Sequence, residues 1–182
     1  MPTPTIETER LVLRPFDRAD ATADSADVFA YASDPRVSRF TSWETHRTPD
    51  DSLAFIEMVL GRPASEMTWA IRLRTSPTVI GVIEFGPTDQ AEARIDYVLA
   101  EPFWNQGLMT EAAKAVLAWG LEHCPAVNAI ASCAVTQNVG SQRVMEKCGL
   151  RFDRVQMHRW PKCIEPVEQR HYRLLRSDSA AG

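Results

Sequence analysis

The sequence lacks the signatures of several protein classes. Its four cysteines, Cys124, Cys133, Cys148 and Cys163, include no C-x-x-C pair. They read as small buried hydrophobes, not as zinc ligands or a redox motif. No basic tract is present: Lys and Arg total 20 against 24 Asp and Glu, for a net charge of -4. That balance argues against nucleic acid or an anionic membrane as partner. No apolar run approaches a membrane-spanning length, and Met1-Pro2-Thr3-Pro4 does not open a charged-then-apolar leader. A cytoplasmic protein with reduced thiols is expected. His123, His158 and His171 are scattered, so neither a metal site nor a histidine relay is expected. Trp69, Trp119 and Trp160 read as core or interface residues. The phosphate patterns G-x-x-x-x-G-K-[ST] and G-x-G-x-x-G are both missing, which disfavours a nucleotidase or a dinucleotide enzyme. No repeat or low-complexity linker divides the 182 residues, so positions 1–182 are expected to form one domain.

What is present is an alternation of strands and helices. Arg10–Arg14 reads as a strand closed by Pro15, and Asp17 to about Ser33 as a helix ending before Pro35. Pro49-Asp50-Asp51 starts a second helix whose apolar stripe is Leu53, Ile56, Val59 and Leu60. Three strands follow, Thr68–Leu73, Val79–Phe85 and Arg94–Leu99, separated by turn signals that make an antiparallel meander the simplest arrangement. Then come a helix from Glu111 to His123, a strand from Ala129 to Val135 and a short helix from Val139 to Lys147. Strands over Leu150–Trp160 and Arg170–Leu175 complete the chain, with fraying expected after Arg176. This order predicts an α/β mixed sheet with helices on its faces.

The chemistry concentrates in Trp104-Asn105-Gln106-Gly107-Leu108-Met109-Thr110-Glu111, where a strand end gives way to a helix. A glycine there lets backbone N–H groups approach an anion, and the following helix start adds unpaired donors and the positive end of its dipole. A tight bend would need the same glycine, so this turn alone leaves both readings open. The second segment, Asn138-Val139-Gly140-Ser141-Gln142-Arg143-Val144-Met145-Glu146-Lys147-Cys148-Gly149-Leu150, is a capped helix. Asn138 suits the N-cap and Gly149 a left-handed stop.

These two segments, in this order, resemble the signature segments of the GNAT acetyltransferases. Thr8-Glu9-Arg10-Leu11-Val12-Leu13-Arg14-Pro15-Phe16 resembles the opening of the branch related to the ribosomal-protein acetyltransferases RimJ and RimL. The resemblance implies the GNAT fold: a central, mostly antiparallel twisted sheet with a splayed parallel pair and helices on both faces. It implies acetyl-CoA as cosubstrate, no metal, and a primary amine as acceptor. That amine is a protein N-terminal α-amine or a small molecule, and a homodimer is among the assemblies similar proteins form.

Carried onto this chain, backbone groups of Val98 and Leu99 would bond pantetheine. Amides of Asn105, Gln106, Gly107, Leu108, Met109 and Thr110 would hold the pyrophosphate. Asn138 would contact the pantetheine arm, and Arg143 would reach towards the nucleotide end. Trp104 and Met109 depart from the family pattern, so a reshaped cradle relying on backbone amides is expected. Direct acyl transfer needs a base for the amine, donors for the oxyanion and stabilisation of the leaving thiolate. Glu84 is the first candidate base and Asp96 the second; a salt bridge would account for either carboxylate equally well. A backbone N–H near Val98 or Leu99 would serve the oxyanion. Many relatives place a tyrosine where Met145 stands, leaving Ser141, otherwise a helix-start cap, as the candidate donor to the thiolate. Arg36, Arg39, Phe40, Trp43 and His46 are candidates for the acceptor side. The loss of that tyrosine also admits a non-catalytic acyl-CoA-binding regulatory protein.

Overall fold

Strand alternation builds one eight-stranded sheet. The computed structural model describes residues 2–88 and 91–179. In chain order the strands are β1 (Ile6–Glu7), β2 (Leu11–Pro15), β3 (Met67–Leu73), β4 (Val79–Pro87), β5 (Glu92–Leu99), β6 (Ala129–Val135), β7 (Arg151–His158) and β8 (Val167–Leu175). The helices are α1 (Ala21–Ala32), α2 (Pro35–Ser38), α3 (Pro49–Leu60), α4 (Leu108–His123), α5 (Val139–Lys147) and α6 (Arg176–Ser179). The spatial order is β1-β2-β3-β4-β5-β6-β8-β7. Every neighbouring pair is antiparallel except β5 and β6, which are parallel and joined through α4. The expected meander and the mixed sheet are both observed.

Because side chains alternate across a sheet, the central strands β3, β4 and β5 feed two cores. Leu11, Leu13, Trp69, Ile71, Ile83, Phe85 and Ile95 pack with Ala112, Val116 and Leu117 of α4. On the opposite face Ala70, Val82 and Val98 pack with Val28 and Tyr31 of α1 and Ile56 of α3. Helices therefore cover both faces, as the resemblance implies.

The feature that positions the site is where β5 and β6 part. Their ladder holds only Glu92↔Ala129, Ala93↔Ile130 and Arg94↔Ala131. At the next step the buried Ser132 hydroxyl donates to the Ile95 carbonyl at 2.8 Å. That bond satisfies a carbonyl which the diverging strand no longer reaches. Beyond it the two strands form the arms of a V.

Several boundaries differ from the sequence-based expectation for local reasons. The two-residue β1 was not expected; it is held by pairing Ile6 with Leu13. α1 begins at Ala21 because Asp17 ends in a turn, its carboxylate accepting the Ala19 N–H. α4 begins at Leu108 rather than Glu111, since left-handed Gly107 itself serves as N-cap. Of the segment after Arg176 where fraying was expected, the described part forms the short α6 and residues 180–182 lie outside the described residues; the Arg176 guanidinium donates to the carbonyls of Leu121, Cys124 and Val127. Among the described residues no helix is long and apolar enough to cross a membrane.

The contact between α4 and β4 depends on Gly120. A Cβ there would lie 2.5 Å from Cζ of Phe85, itself only 2% exposed. Gly120→Ala is expected to destabilise, because about 1–3 kcal/mol of overpacking outweighs the roughly 1 kcal/mol of helix propensity gained. A lower urea midpoint at unchanged slope checks this.

Candidate active site

The cradle sequence forms a turn that contains two residues of positive φ. Asn105 adopts φ 60° and Gly107 φ 77°, both left-handed. Asparagine tolerates that conformation better than most residues and glycine does so without strain. Alternating handedness of this kind turns successive N–H groups to one side, an anion-binding concavity. No side chain caps α4, and the first bond across its N-terminus runs from Glu111 N–H to the Gly107 carbonyl. The N–H groups of Leu108, Met109 and Thr110 are thus left free of the helix ladder.

The two departures from the family pattern are explained by where their side chains go. Met109 is 7% exposed and packs in the α4 core beside Leu108, so it does not fill the cradle. The Trp104 indole donates to the Leu99 carbonyl at 2.7 Å, tying the turn to the end of β5. Gln106 spends its side chain on the Pro102 carbonyl, at 2.8 Å.

Along β5, bonding directions alternate. The register Val82↔Val98 and the bond from Ala100 N–H to the Ile80 carbonyl commit the backbone of Val98 to β4. Tyr97 and Leu99 consequently turn their backbone groups to the V. With the Leu99 carbonyl taken by Trp104, the Leu99 N–H and both groups of Tyr97 remain on that edge.

Side chains alternate too, and they sort the candidate residues by face. Glu84 and Asp96 are cross-strand neighbours just beyond the point of parting, on the side of α1 and α3. Glu84 accepts from the Arg62 guanidinium at 2.8 Å; Asp96 pairs with Arg94 at 2.6 Å. Burial pushes the Glu84 carboxyl above its usual range, and Arg62 opposes this only in part. Tyr97 points to the other side, towards α5. There the Ser141 hydroxyl donates to the Tyr97 phenol oxygen at 3.0 Å, and the phenol donates to the Ser141 carbonyl at 3.1 Å. Asn138 caps α5 as expected, accepting the Ser141 N–H at 3.2 Å. Arg143 is exposed on α5. Sequence reasoning missed Tyr97, although the alternation Ile95-Asp96-Tyr97 already set it opposite Asp96.

The segment expected on the acceptor side is tied to Glu101 and to the β7–β8 loop. Arg36 bonds Asp34 and also Glu101 at 2.9 Å, just ahead of the cradle. The Arg39 guanidinium lies over the Phe40 ring. His46 bonds buried Ser52 at 2.7 Å, and burial lowers the His46 pKa below its usual value. Lys162, in the β7–β8 loop, donates to the carbonyls of Ser38 and Trp43 at 2.5 and 3.0 Å. The histidines are less scattered than the sequence suggests: His158 pairs with Val167 and His171 with Arg154 in the β7–β8 ladder, yet the two imidazoles meet with Nε2 atoms 3.3 Å apart. Among the described residues no group of three or more His, Cys, Asp or Glu side chains is placed to hold a metal ion. Trp69 is fully buried with Trp119 edge-on against it, whereas Trp160 lies beside Lys162.

The cradle is held in place by the opening segment of the chain. Glu111, in the first turn of α4, accepts from the Thr8 hydroxyl at 2.6 Å, the Arg10 N–H at 2.8 Å and the Arg10 guanidinium at 2.7 Å. The same guanidinium reaches the Gln106 carbonyl at 3.0 Å. Burial raises the Glu111 carboxyl, but these hydrogen bonds together outweigh it and hold the group below its usual range. A carboxyl depressed on folding adds stability that is complete above its unfolded pKa and is lost as pH falls through the folded one. Arg10 is 45% exposed, so screening limits the ionic part. Glu111→Gln is expected to cost about 1–2 kcal/mol at neutral pH through weakened hydrogen bonds. The deficit should shrink as pH falls below the glutamate range; paired urea melts at the two pH values measure it.

The family described as acetyltransferase (GNAT) domain matches residues 10–151. The chain is similar to the uncharacterized N-acetyltransferase YnaD of Bacillus subtilis (strain 168), 30% identical over 174 residues, covering 95% of this chain and 98% of that protein. The crystal structure of a GNAT-family acetyltransferase from Bacillus anthracis matches with a TM-score of 0.83 at 26% identity, over 96% of this chain and 99% of that one. A Vibrio cholerae protein provisionally described as a ribosomal-protein-serine acetyltransferase shares the fold, with a TM-score of 0.78 at 18% identity over 96% of this chain and 98% of that one. The matched span takes in the β5–β6 V, the amide-lined cradle and the capped start of α5, and the chain belongs to the GNAT acetyltransferase family.

Proposed function

We propose that this chain, as a single domain, transfers acetyl from acetyl-CoA to a primary amine by direct attack on the thioester. The family uses acetyl-CoA as acyl donor. The observation that carries the reading is the open V running to a turn of free amides, with carboxylates on one face and hydroxyls on the other. In this reading the amides of Asn105, Gln106, Gly107, Leu108, Met109 and Thr110 hold the pyrophosphate. The free β5 edge at Leu99 and Tyr97, with Val98 anchoring it to β4, lines the pantetheine arm. Asn138 contacts that arm, and Arg143 reaches towards the nucleotide end.

Glu84 is the base. Its raised pKa brings a carboxylate closer to the range in which it can accept an amine proton near neutrality. Asp96 is better occupied by Arg94, at 2.6 Å, and serves to set the charge of that face. The Leu99 N–H stabilises the oxyanion, and Ser141 donates to the departing thiolate. The opening motif and the likeness to the Vibrio cholerae protein support a RimJ/RimL-like branch, with a peptide N-terminal α-amine as acceptor. A small-molecule amine is the other acceptor class, because the fold alone does not specify it.

Thiol release from acetyl-CoA, followed over a panel of N-terminal peptides and small amines, tests this reading. Turnover with at least one amine is expected; tight CoA binding with no turnover would instead establish an acyl-CoA-binding regulatory protein. Glu84→Gln is expected to lower kcat by about 10²–10⁴-fold and to remove the acid limb of the wild-type pH profile. That limb arises because activity is lost as pH falls through the raised Glu84 pKa. Asp96→Asn should keep most activity, and the reverse pattern would reassign the base.

A further inference from the structure

The second helix of the site carries no phenol. Met145 stands where the resemblance expects one, and its side chain is 1% exposed in the α4 core. A phenol nevertheless reaches the start of α5 from another element. Tyr97 of β5 crosses the open V to Ser141, and its oxygen lies 3.0 Å from the Ser141 hydroxyl and 3.1 Å from the Ser141 carbonyl.

We propose that Tyr97 is a positioning residue for acetyl transfer, which holds Ser141 and turns its hydroxyl hydrogen towards the departing CoA sulfur. The proposal rests on the acetyl-transfer reading above. One phenol oxygen lies within hydrogen-bond distance of both Ser141 oxygens. Rotation of the phenolic O–H alone therefore moves its donation from the Ser141 carbonyl to the Ser141 hydroxyl, and no heavy atom shifts. The serine hydrogen is then released to point into the V. Burial pushes the Tyr97 phenol well above its usual range, so it remains a donor throughout the working pH range.

The step balances without an added acid. The amine nitrogen bonds the thioester carbon and gives its proton to the base on the opposite face. Collapse of the tetrahedral intermediate breaks the C–S bond, and the electron pair leaves on sulfur. The thiolate departs as an anion under the Ser141 hydrogen bond and takes its proton from solvent after release. Free thiols titrate at about 8.5, so a hydrogen bond that favours the thiolate must lower that value in the bound state.

Bound CoA provides a readout that requires no acceptor. Thiolate absorbance of the enzyme–CoA complex is titrated against the complex with desulfo-CoA, which cancels protein thiols and phenols. The bound thiol of wild type is expected below the free value. In Tyr97→Phe, which keeps the ring, it should rise by about one unit, with kcat down about tenfold and KM for acetyl-CoA within about twofold. Ser141→Ala should raise the thiol pKa at least as far, and gives the same readout if Tyr97→Phe fails to fold. An unshifted thiol in wild type, or a value in folded Tyr97→Phe equal to that of wild type, overturns the proposal. A shifted thiol in a protein that acetylates no amine would support the pair and refute the acetyl-transfer reading. Absence of CoA binding would overturn both.

Discussion

Everything at the site depends on two parallel strands that pair for three residues and then separate. Were the β5–β6 ladder to continue past Arg94 and Ala131, the edge of β5 would be spent on β6 and no slot would exist. The Ser132 hydroxyl ends the ladder by satisfying the Ile95 carbonyl. The open edge beyond it costs little because it faces a cleft, where solvent or a ligand completes its hydrogen bonds. The parted strands also separate the functional groups by face. Successive residues of β5 point to opposite sides, so Asp96 joins Glu84 on one face while Tyr97 meets Ser141 on the other. In the proposed reading, a group lying in the slot has carboxylates on one flank and hydroxyls on the other.

The cradle is fixed from a distance. Its amides are useful only if the turn keeps its shape without a ligand, and that shape is braced at both ends. Trp104 ties the near end to the Leu99 carbonyl. Glu111 ties the far end to Thr8 and Arg10, close to the start of the chain. Arg10 also reaches the Gln106 carbonyl, placing a positive charge beside the turn. Preorganisation of this kind lowers the ordering cost of binding an anion.

Much of this was legible in the sequence. Gly107 ahead of an apolar helix and Asn138 three residues before Ser141 are local patterns, and local rules of backbone conformation and capping suffice to read them. The meander and the crossover followed from element order. What escaped the sequence was set by register. Nothing local in Thr8 or Arg10 says that Glu111 will be their partner, because that contact depends on how β2 lies against α4. The separation of β5 from β6 depends likewise on which residues face each other across strands. Met109 stood out in the sequence as a departure from the family pattern, and helix phase turns its side chain into the core. The commitment of Val98 to β4, leaving Leu99 and Tyr97 on the open edge, is again a matter of ladder alternation.

The central claim is that the donor lies along the free β5 edge with its pyrophosphate on the amides of the turn. Residue-resolved amide NMR during titration with CoA tests it most directly. The largest shifts are expected at Asn105 to Thr110 and at Tyr97 and Leu99, with Val98 less affected because its backbone is committed to β4. Shifts confined to other surfaces, or none at saturating CoA, would contradict it.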